Sequence, residues 1–197
     1  MGYSIDPISE NCYPGTSVLI NKLGIQDESV LLAIEGTVTT TKGAQWIEAP
    51  CDATFDFEHY KSIHRFLFSD LYDWAGTVRK INMSKKGTRF CDADQIESEA
   101  ERVFSRLRSC DYFRRLKRKD YILEFTDFYQ ATNFLHPFRE GNGRTQRIFL
   151  QQLLRFAGYD IEWTCIDADL LMIATIQAAQ GVTDLLKSLF DEEIFQR

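Results

Sequence analysis

Several features that mark common protein classes are missing from this sequence. It has no Cys-x-x-Cys pair, and its five cysteines are odd in number and widely separated, so neither a zinc site nor a disulfide framework is indicated. No basic and apolar leader opens the chain, and no apolar run approaches the length of a membrane span. We therefore expect reduced thiols and a cytoplasmic protein, unless a specialised secretion system exports it.

An excess of basic residues is also missing. The 23 Lys and Arg residues are outnumbered by 29 Asp and Glu residues, which gives a formal net charge of -6. Non-specific nucleic-acid binding requires a basic surface that displaces counterions from phosphate, so no direct nucleic-acid partner is expected. Low-complexity runs are absent as well, and 44% of the residues are hydrophobic. A chain of this length and composition is typical of one globular domain.

Apolar residues recur at three- and four-residue steps through most of the chain, which predicts a mainly α-helical fold. Predicted helices span about 55–72, 120–135, 144–156, 167–179 and 182–190. Another helix should follow Asp92, which can act as its N-cap with Gln95 at the capping-box position. Residues 161–164 are expected to be extended. Glycines interrupt the N-terminal part, residues 1–54, where we expect two or three short helices packed on the rest.

A change of pattern between residues 78 and 91 predicts a short β-hairpin. Alternating apolar and polar residues flank a Ser-Lys-Lys-Gly turn, and Gly87 stands where a hairpin needs a positive φ.

The chemistry is concentrated in residues 136–147, which read His-Pro-Phe-Arg-Glu-Gly-Asn-Gly-Arg-Thr-Gln-Arg. A Gly-Asn-Gly run entering a helix leaves main-chain N–H groups unpaired where the helix dipole also favours negative charge. Gly141 and Gly143 allow the backbone angles and the close approach that such an anion cradle needs. Arg144 and Arg147 are three residues apart and can grip further phosphate oxygens. The segment therefore predicts a polyphosphate site.

Two side chains of this loop indicate what happens to the polyphosphate. Glu140 would repel phosphate unless a cation lies between them, and Mg²⁺ is the natural choice. His136, with a pKa expected near neutral, can take a proton from an incoming hydroxyl. The other histidines, His59 and His64, have no ligand partners at metal spacing and are expected to be structural or exposed.

This segment resembles the Fic signature His-x-Phe-x-(Asp/Glu)-Gly-Asn-Gly-Arg-x-x-Arg at every fixed position. The resemblance implies the Fic (Fido) fold, a helical bundle with a small β-hairpin flap over the active site, and a core spanning about 55–191. It also implies a protein adenylyltransferase, which moves AMP from ATP onto a Tyr, Thr or Ser hydroxyl of a target protein.

Roles follow from the resemblance residue by residue. His136 would be the general base, Phe138 a core anchor and Glu140 the Mg²⁺ ligand. The main chain at Gly141 and Gly143 and the side chain of Asn142 would hold the α- and β-phosphates, and Arg144 and Arg147 the β- and γ-phosphates. The flap residues would pair with the main chain of the target by strand addition. These are Lys85, Lys86, Gly87, Thr88 and Arg89.

Other functions remain open. The Doc-type kinases of the family alter the Gly-Asn-Gly-Arg portion, which is intact here, so AMP transfer is favoured over phosphate transfer. The loop does not specify the base, and UMP or GMP transfer stays possible, with phosphocholine transfer more remote. A non-catalytic nucleotide-binding adaptor is the rival from another class, although a pure binder has no need of His136.

Many Fic proteins carry an inhibitory helix with Ser/Thr-x-x-x-Glu-Gly/Asn, whose glutamate pairs with the second motif arginine. Outside the active loop, only Glu10 and Glu35 are followed by Asn or Gly, and the residues four positions before them are Asp6 and Leu31. Neither fits. We therefore expect control by a separate small antitoxin protein, with the chain resembling the toxin half of a two-protein module. The alternative is an unrecognised brake within the chain, near residues 6–11.

Overall fold

The computed structural model describes residues 4–5, 11–49, 53–85 and 87–197, and most of this part of the chain is helical. The helices are α1 (Glu28–Glu48), α2 (Phe57–Phe68), α3 (Ile96–Ser109), α4 (Arg118–Leu135), α5 (Asn142–Phe156), α6 (Ala168–Ala179) and α7 (Asp184–Glu193). The strands are β1 (Ser4–Ile5), β2 (Met83–Lys85), β3 (Thr88–Arg89), β4 (Tyr159–Ile161) and β5 (Ile194–Gln196). The predicted mainly α fold is confirmed. Within the described ranges, no helix combines the length and apolar character needed to cross a bilayer.

Helix α5 lies at the centre of the molecule, packed against α1, α2, α4 and β4. Its sequence explains this position, because Phe149, Leu150, Leu153 and Leu154 have no exposed surface and recur at helical spacing. The ring of Phe149 meets the aromatic rings of both α2 and α3 at 5.4–5.6 Å. The central helix thus holds its own N-terminus, and the loop before it, on a rigid support.

The N-terminal part differs from the expectation of two or three short helices. One 21-residue helix, α1, runs through Gly36 and Gly43. Asp27 caps it by accepting a hydrogen bond from the N–H of Val30. A Cβ at Gly43 would lie 3.2 Å from Ile148 of α5, so this glycine lets the two helices approach closely. The packing gain across α5 outweighs the low helix propensity of two glycines.

The start of α3 also differs from the expectation. Asp92 makes no side-chain cap, and a 3₁₀ turn at Ala93–Gln95 precedes the helix, which begins at Ile96. The carboxylate of Asp92 instead forms an ion pair with Arg89 at 2.7 Å. The capping box predicted here is therefore wrong, because the flap supplies a cation that competes for the carboxylate.

The predicted hairpin is present as β2 and β3, with Gly87 at φ +78°. Strand β1 extends it on the β2 side, with Ser4 opposite Ser84 and Ile5 opposite Met83. We refer to β2, β3 and the turn between them as the flap. A second small sheet pairs β4 with β5. Strand β4 begins two residues before the predicted extended segment, and β5 was not predicted.

Candidate active site

His136 ends α4 in the left-handed conformation, at φ 40°. Its imidazole stacks on the ring of Phe90, directly after β3, with centroids 3.6 Å apart. The Nδ1 atom lies 3.3 Å from the carbonyl oxygen of Asn133. Because a carbonyl can only accept, Nδ1 carries the proton and Nε2 carries the lone pair. The loop therefore fixes the tautomer that a general base needs.

The pKa of His136 is not near neutral, as the sequence led us to expect. Burial lowers it to about 3, and repulsion from Arg79 and Lys85 acts in the same direction. The cause is Phe90 and the flap, which remove the ring from water. The imidazole is therefore neutral throughout the physiological range, and the same burial disfavours its protonated form, which the negative charge of a bound polyphosphate would favour.

Arg79 holds this histidine in place and was not anticipated. Its guanidinium donates to the carbonyl oxygens of His136, Ile81 and Cys91 at 2.8, 2.6 and 2.6 Å. Its own N–H donates to the carbonyl of Pro137 at 2.8 Å. One buried arginine thus ties the base of the flap to the residue that ends α4. The sequence holds no signal for it, since its partners are main-chain carbonyls as far away as those of His136 and Pro137.

The loop between α4 and α5 is braced by its own side chains. Phe138 is fully buried and stacks on His64 at 3.8 Å and on Tyr60 at 5.8 Å. The Asn142 side chain accepts from the N–H of Phe138 and donates to its carbonyl, both at 2.8 Å. The resemblance assigned this side chain to the phosphates, but both of its polar atoms are engaged within the loop, which leaves the main-chain N–H of Asn142 for an anion.

A side chain at Gly141 would clash with its surroundings. The φ of this residue is +80°, and a Cβ there would lie 2.2 Å from the ring of Phe68 on α2. The loop therefore lies directly on an aromatic ring.

The N-terminus of α5 faces outward with unpaired amides. The helix begins at Asn142, two residues before the predicted start, and Thr145 donates to Gly141 in the first hydrogen bond of the i to i-4 type. The N–H groups of residues 142–144 precede that bond and have no carbonyl partner in the helix. Unpaired amides and the helix dipole are the two features that the expected anion cradle requires.

Both motif arginines lie beside this cradle. A Cβ at Gly143 would be 3.4 Å from Nη1 of Arg147. Burial lowers the pKa of Arg147, and the positive charge of Arg144 adds to the effect. Among the ion pairs of the described residues, none includes Arg147, whereas Arg144 pairs with Glu35 and Glu140. Arg147 thus presents a positive charge that an anion can neutralise.

Glu140 lies at the lip of the loop, with 29% of its side chain exposed. Its Oε1 accepts a hydrogen bond from the N–H of Gly141 at 2.8 Å. No group of three or more metal-ligating side chains occurs in the described ranges. A single carboxylate at the edge of a phosphate cradle fits Mg²⁺, which commonly takes one or two carboxylates and completes its shell with phosphate and water.

His64 is the second residue that sequence reasoning underestimated. The sequence led us to expect that His64 is either structural or exposed. It is structural and has no exposed surface. Its Nε2 donates to the carbonyl of Glu140 at 3.0 Å, while its Nδ1 accepts from the N–H of Gly76 at 2.8 Å. His64 therefore supports the loop between α4 and α5 by a hydrogen bond to its main chain. His59 accepts from the N–H of Phe55 and contacts Gln152, away from the loop.

Glu35 is the third residue whose importance the sequence did not reveal. The residues around it do not fit the inhibitory motif. Glu35 lies on α1 and forms an ion pair with Arg144 at 2.5 Å. The sequence gives no clear signal for its burial, because the buried residues that share its face of α1 at four-residue spacing include only one large apolar side chain. These buried residues are Leu31, Thr39 and Gly43. A carboxylate in a buried stripe requires a cation.

The flap overhangs this site. Lys85 is near enough to His136 to disfavour its protonated form, and Lys86 lies outside the described residues. A cavity of about 630 Å³ opens between the flap, α4 and α6. Its lining includes Thr88, Arg89, Gln130, Asn133, Thr175 and Gln180. The Nε2 atom of Gln130 is buried without a partner among the described residues. The cavity borders the carbonyl that orients His136.

Two buried neutral imidazoles make stability depend on pH. Burial lowers the pKa values of His64 and His136 to about 3, from 6.5 for a solvated ring. The unfolded chain therefore binds protons that the folded chain does not, once the pH falls below about 6.5. We expect the free energy of unfolding to fall by about 1.4 kcal/mol per pH unit for each imidazole between pH 6 and 4.5.

Urea unfolding at several pH values measures this slope. The His136→Ala variant should lose about 1.4 kcal/mol per pH unit from this slope, while His64 and His59, whose pKa is also lowered by burial, supply the remainder. A free energy of unfolding that stays constant from pH 7 to 4.5 would show that the rings are protonated in the folded state.

Comparison with known proteins agrees with this geometry. Residues 54–154 match the model of the Fic/DOC family. The chain is 38% identical over 177 residues to the probable protein adenylyltransferase y4lH of Sinorhizobium fredii, and the match covers 89% of each protein. It is 35% identical over 186 residues to the protein adenylyltransferase VbhT of Bartonella schoenbuchensis, covering 94% of this chain but 38% of VbhT.

Solved structures show the same fold. BepC of Bartonella tribocorum with bound AMPPNP superimposes with a TM-score of 0.88 at 26% identity, over 95% of this chain and 97% of that one. The Fic domain of a putative cell filamentation protein of Bartonella quintana with bound ADP gives 0.90 at 27% identity, over 95% of each chain. The predicted Fic fold is confirmed, and the chain belongs to the Fic/DOC family.

Proposed function

We propose that this protein is a protein adenylyltransferase that transfers AMP from ATP to a Tyr, Thr or Ser hydroxyl of another protein. One observation carries the proposal: the open amides of residues 142–144 lie one short loop away from a neutral imidazole whose proton is fixed on Nδ1. The relatives named as protein adenylyltransferases, and the related structures with AMPPNP and ADP, support the same activity.

The triphosphate would lie across the N-terminus of α5. The main-chain N–H groups at Asn142 and Gly143 would hold the α- and β-phosphates, and Arg144 and Arg147 the β- and γ-phosphates. Three features support this arrangement: the helix dipole, the two guanidinium groups beside the cradle and the absence of a side chain at Gly141 and Gly143. Glu140 would hold Mg²⁺, which supplies positive charge to the phosphates.

The reaction needs one proton transfer. The target hydroxyl would give its proton to Nε2 of His136 while its oxygen forms a bond to the α-phosphorus. The bond between the α-phosphorus and the oxygen that bridges to the β-phosphate breaks, and pyrophosphate leaves. Arg144 and Arg147 would stabilise the charge that develops on this leaving group.

Target docking would fall to the flap residues Lys85, Lys86, Gly87, Thr88 and Arg89. Strand addition gives affinity through the main chain and reads little sequence. Strand β1 already pairs with β2. A target strand must therefore add along β3 or displace β1.

The cavity beside the flap would take the nucleoside. Its amide and hydroxyl groups, at Gln130, Asn133, Thr175 and Gln180, can donate to and accept from a base edge. These groups are neutral and can rotate, so they can form hydrogen bonds with adenine, uracil or guanine. The parallel reactions described below identify the base. Transfer of UMP or GMP remains the alternative within the same chemistry.

Control by a separate antitoxin with an inhibitory helix remains part of the proposal, as does a cytoplasmic location. The absence of a Ser/Thr-x-x-x-Glu-Gly/Asn motif supports the first. Residues 6–10, part of the alternative brake, lie outside the described residues. We also propose a Fic core at 55–191, with residues 1–54 packed on it in one structural domain.

The test uses purified protein, Mg²⁺, cell lysate and nucleotide labelled at either the α- or the γ-phosphate. A protein band that takes label from α-labelled ATP alone supports adenylyl transfer. A band that takes label from γ-labelled ATP would indicate a kinase instead. If neither form of labelled ATP labels a protein, the non-catalytic nucleotide-binding adaptor is favoured. Parallel reactions with α-labelled UTP and GTP identify the preferred base.

A further inference from the structure

We propose that Glu35 is a positioning residue for nucleotide binding, which fixes the guanidinium of Arg144 beside the phosphate cradle together with Thr39 and Tyr72. This inference rests on the proposed function, because it assigns the support of a residue that would touch ATP. It concerns the first motif arginine, whereas the family's inhibitory glutamate pairs with the second.

The contact between Glu35 and Arg144 joins two distant parts of the chain. Nη2 of Arg144 donates to Oε1 of Glu35 at 2.5 Å across 109 residues. Only 6% of the Glu35 side chain is exposed, compared with 27% of Arg144. A buried carboxylate loses most of its water and depends on its protein partners. Arg144 is therefore held strongly at its outer end.

The other atoms of Glu35 and Arg144 are also fixed. The hydroxyl of Tyr72, which is 1% exposed, donates to Oε2 of Glu35. The hydroxyl of Thr39 donates to the carbonyl of Glu35 at 2.7 Å, so its lone pair accepts from Nη1 of Arg144 at 3.1 Å. Three side chains on α1 and after α2 thus determine the plane of one guanidinium group.

The charges around Arg144 explain why its position matters for binding Mg²⁺. Arg144 also contacts Glu140, the residue expected to hold Mg²⁺, at 3.3 Å. Without Glu35, this arginine would have Glu140 as its single carboxylate partner and would neutralise it. With Glu35 the cluster carries two negative charges and one positive charge. The partly exposed Glu140 then keeps enough negative potential to attract a divalent cation.

Packing against an aromatic ring further restricts the guanidinium of Arg144. The Cζ atom of Arg144 lies 4.8 Å from the centroid of the Phe68 ring. This is the same ring on which Gly141 rests. The cation–π contact and the ion pair therefore place the guanidinium at a defined height beside the cradle.

The test is the affinity for ATP, measured by calorimetry with and without Mg²⁺ on the full chain. In the Glu35→Gln variant we expect binding of ATP with Mg²⁺ to weaken by about tenfold to a hundredfold, the range for a lost charged hydrogen bond. The loss without Mg²⁺ should be smaller, because Glu140 then has no cation to hold. Glu35→Asp keeps the charge and should fall between the wild type and Glu35→Gln.

A matched control separates positioning from general destabilisation. Asp160→Asn removes another buried carboxylate that pairs with an arginine of α5, Arg155, at 3.0 Å. Arg155 lies about 17 Å along the helix from Arg144. Asp160→Asn should lower the unfolding temperature and leave the affinity for ATP unchanged.

Four results would overturn the proposal. Tighter ATP binding by Glu35→Gln would make Glu35 a brake. An unchanged affinity, or an equal loss in Asp160→Asn, would make its role purely structural. If the wild type itself does not bind ATP, the proposed function fails, which is distinguishable because the first three results require binding by the wild type.

Discussion

Replacing His136 by alanine is expected to reduce transfer from α-labelled ATP by about 10²- to 10⁴-fold, the contribution of a positioned base. The ring is neutral at physiological pH, because burial lowers its pKa to about 3, and its Nδ1 proton faces the carbonyl of Asn133. The substitution removes the acceptor for the hydroxyl proton. It leaves the amides of residues 142–144 in place, so the affinity for ATP should change little.

His59 offers a matched control for this prediction. Like His136 it is 7% exposed and has a pKa lowered by burial, but it lies on α2 with Gln152 as its partner. His59→Ala should therefore lower stability while transfer continues. If both variants lose transfer equally, the effect is one of folding. If His136→Ala transfers label normally, another group accepts the proton.

Replacing Gly141 by alanine is expected to abolish nucleotide binding and to destabilise the fold. The new Cβ would lie 2.2 Å from the Phe68 ring, in a backbone conformation with φ +80°. Overpacking of this kind costs about 1–3 kcal/mol, and the left-handed conformation adds about 1 kcal/mol. Either Phe68 or the loop must move. Because Arg144 packs on the same ring, the cradle and its arginine would shift together.

Gly158 allows the two contributions to be separated. Its φ is +85°, and no heavy atom lies within 4 Å of a Cβ placed there. Gly158→Ala should therefore show only the conformational strain of about 1 kcal/mol and keep its affinity for ATP. Urea unfolding and calorimetry measure both quantities. Equal losses of affinity in the two variants would show that contact with Phe68 is irrelevant to the loop.

The sequence predicted the loop well because the necessary information is local. Residues 136–147 contain the proposed base, the proposed cradle and both arginines within twelve positions, and the helix that follows has a clear apolar face. The start of α5 was misplaced by two residues. Asn142 and Gly143 already belong to the helix, since its first hydrogen bond joins Thr145 to Gly141.

The surroundings of the loop depend on distant residues and could not be predicted in the same way. The low pKa of His136 comes from burial that includes stacking on Phe90, 46 residues earlier in the chain. Arg79 holds main-chain carbonyls, which carry no sequence signature. Glu35 lies on α1, which was not expected as one helix, and its partner Arg144 is 109 residues away. Motif reasoning identified what the site contains, and packing determined how its groups are held.

A crystal structure with a non-hydrolysable ATP analogue and Mg²⁺ would show most directly how the nucleotide binds. We expect β-phosphate oxygens within hydrogen-bond distance of the amides of residues 142–144, with the α-phosphorus as the phosphorus atom nearest to Nε2 of His136. A γ-phosphate beside that imidazole, or a nucleotide bound away from the N-terminus of α5, would contradict this arrangement.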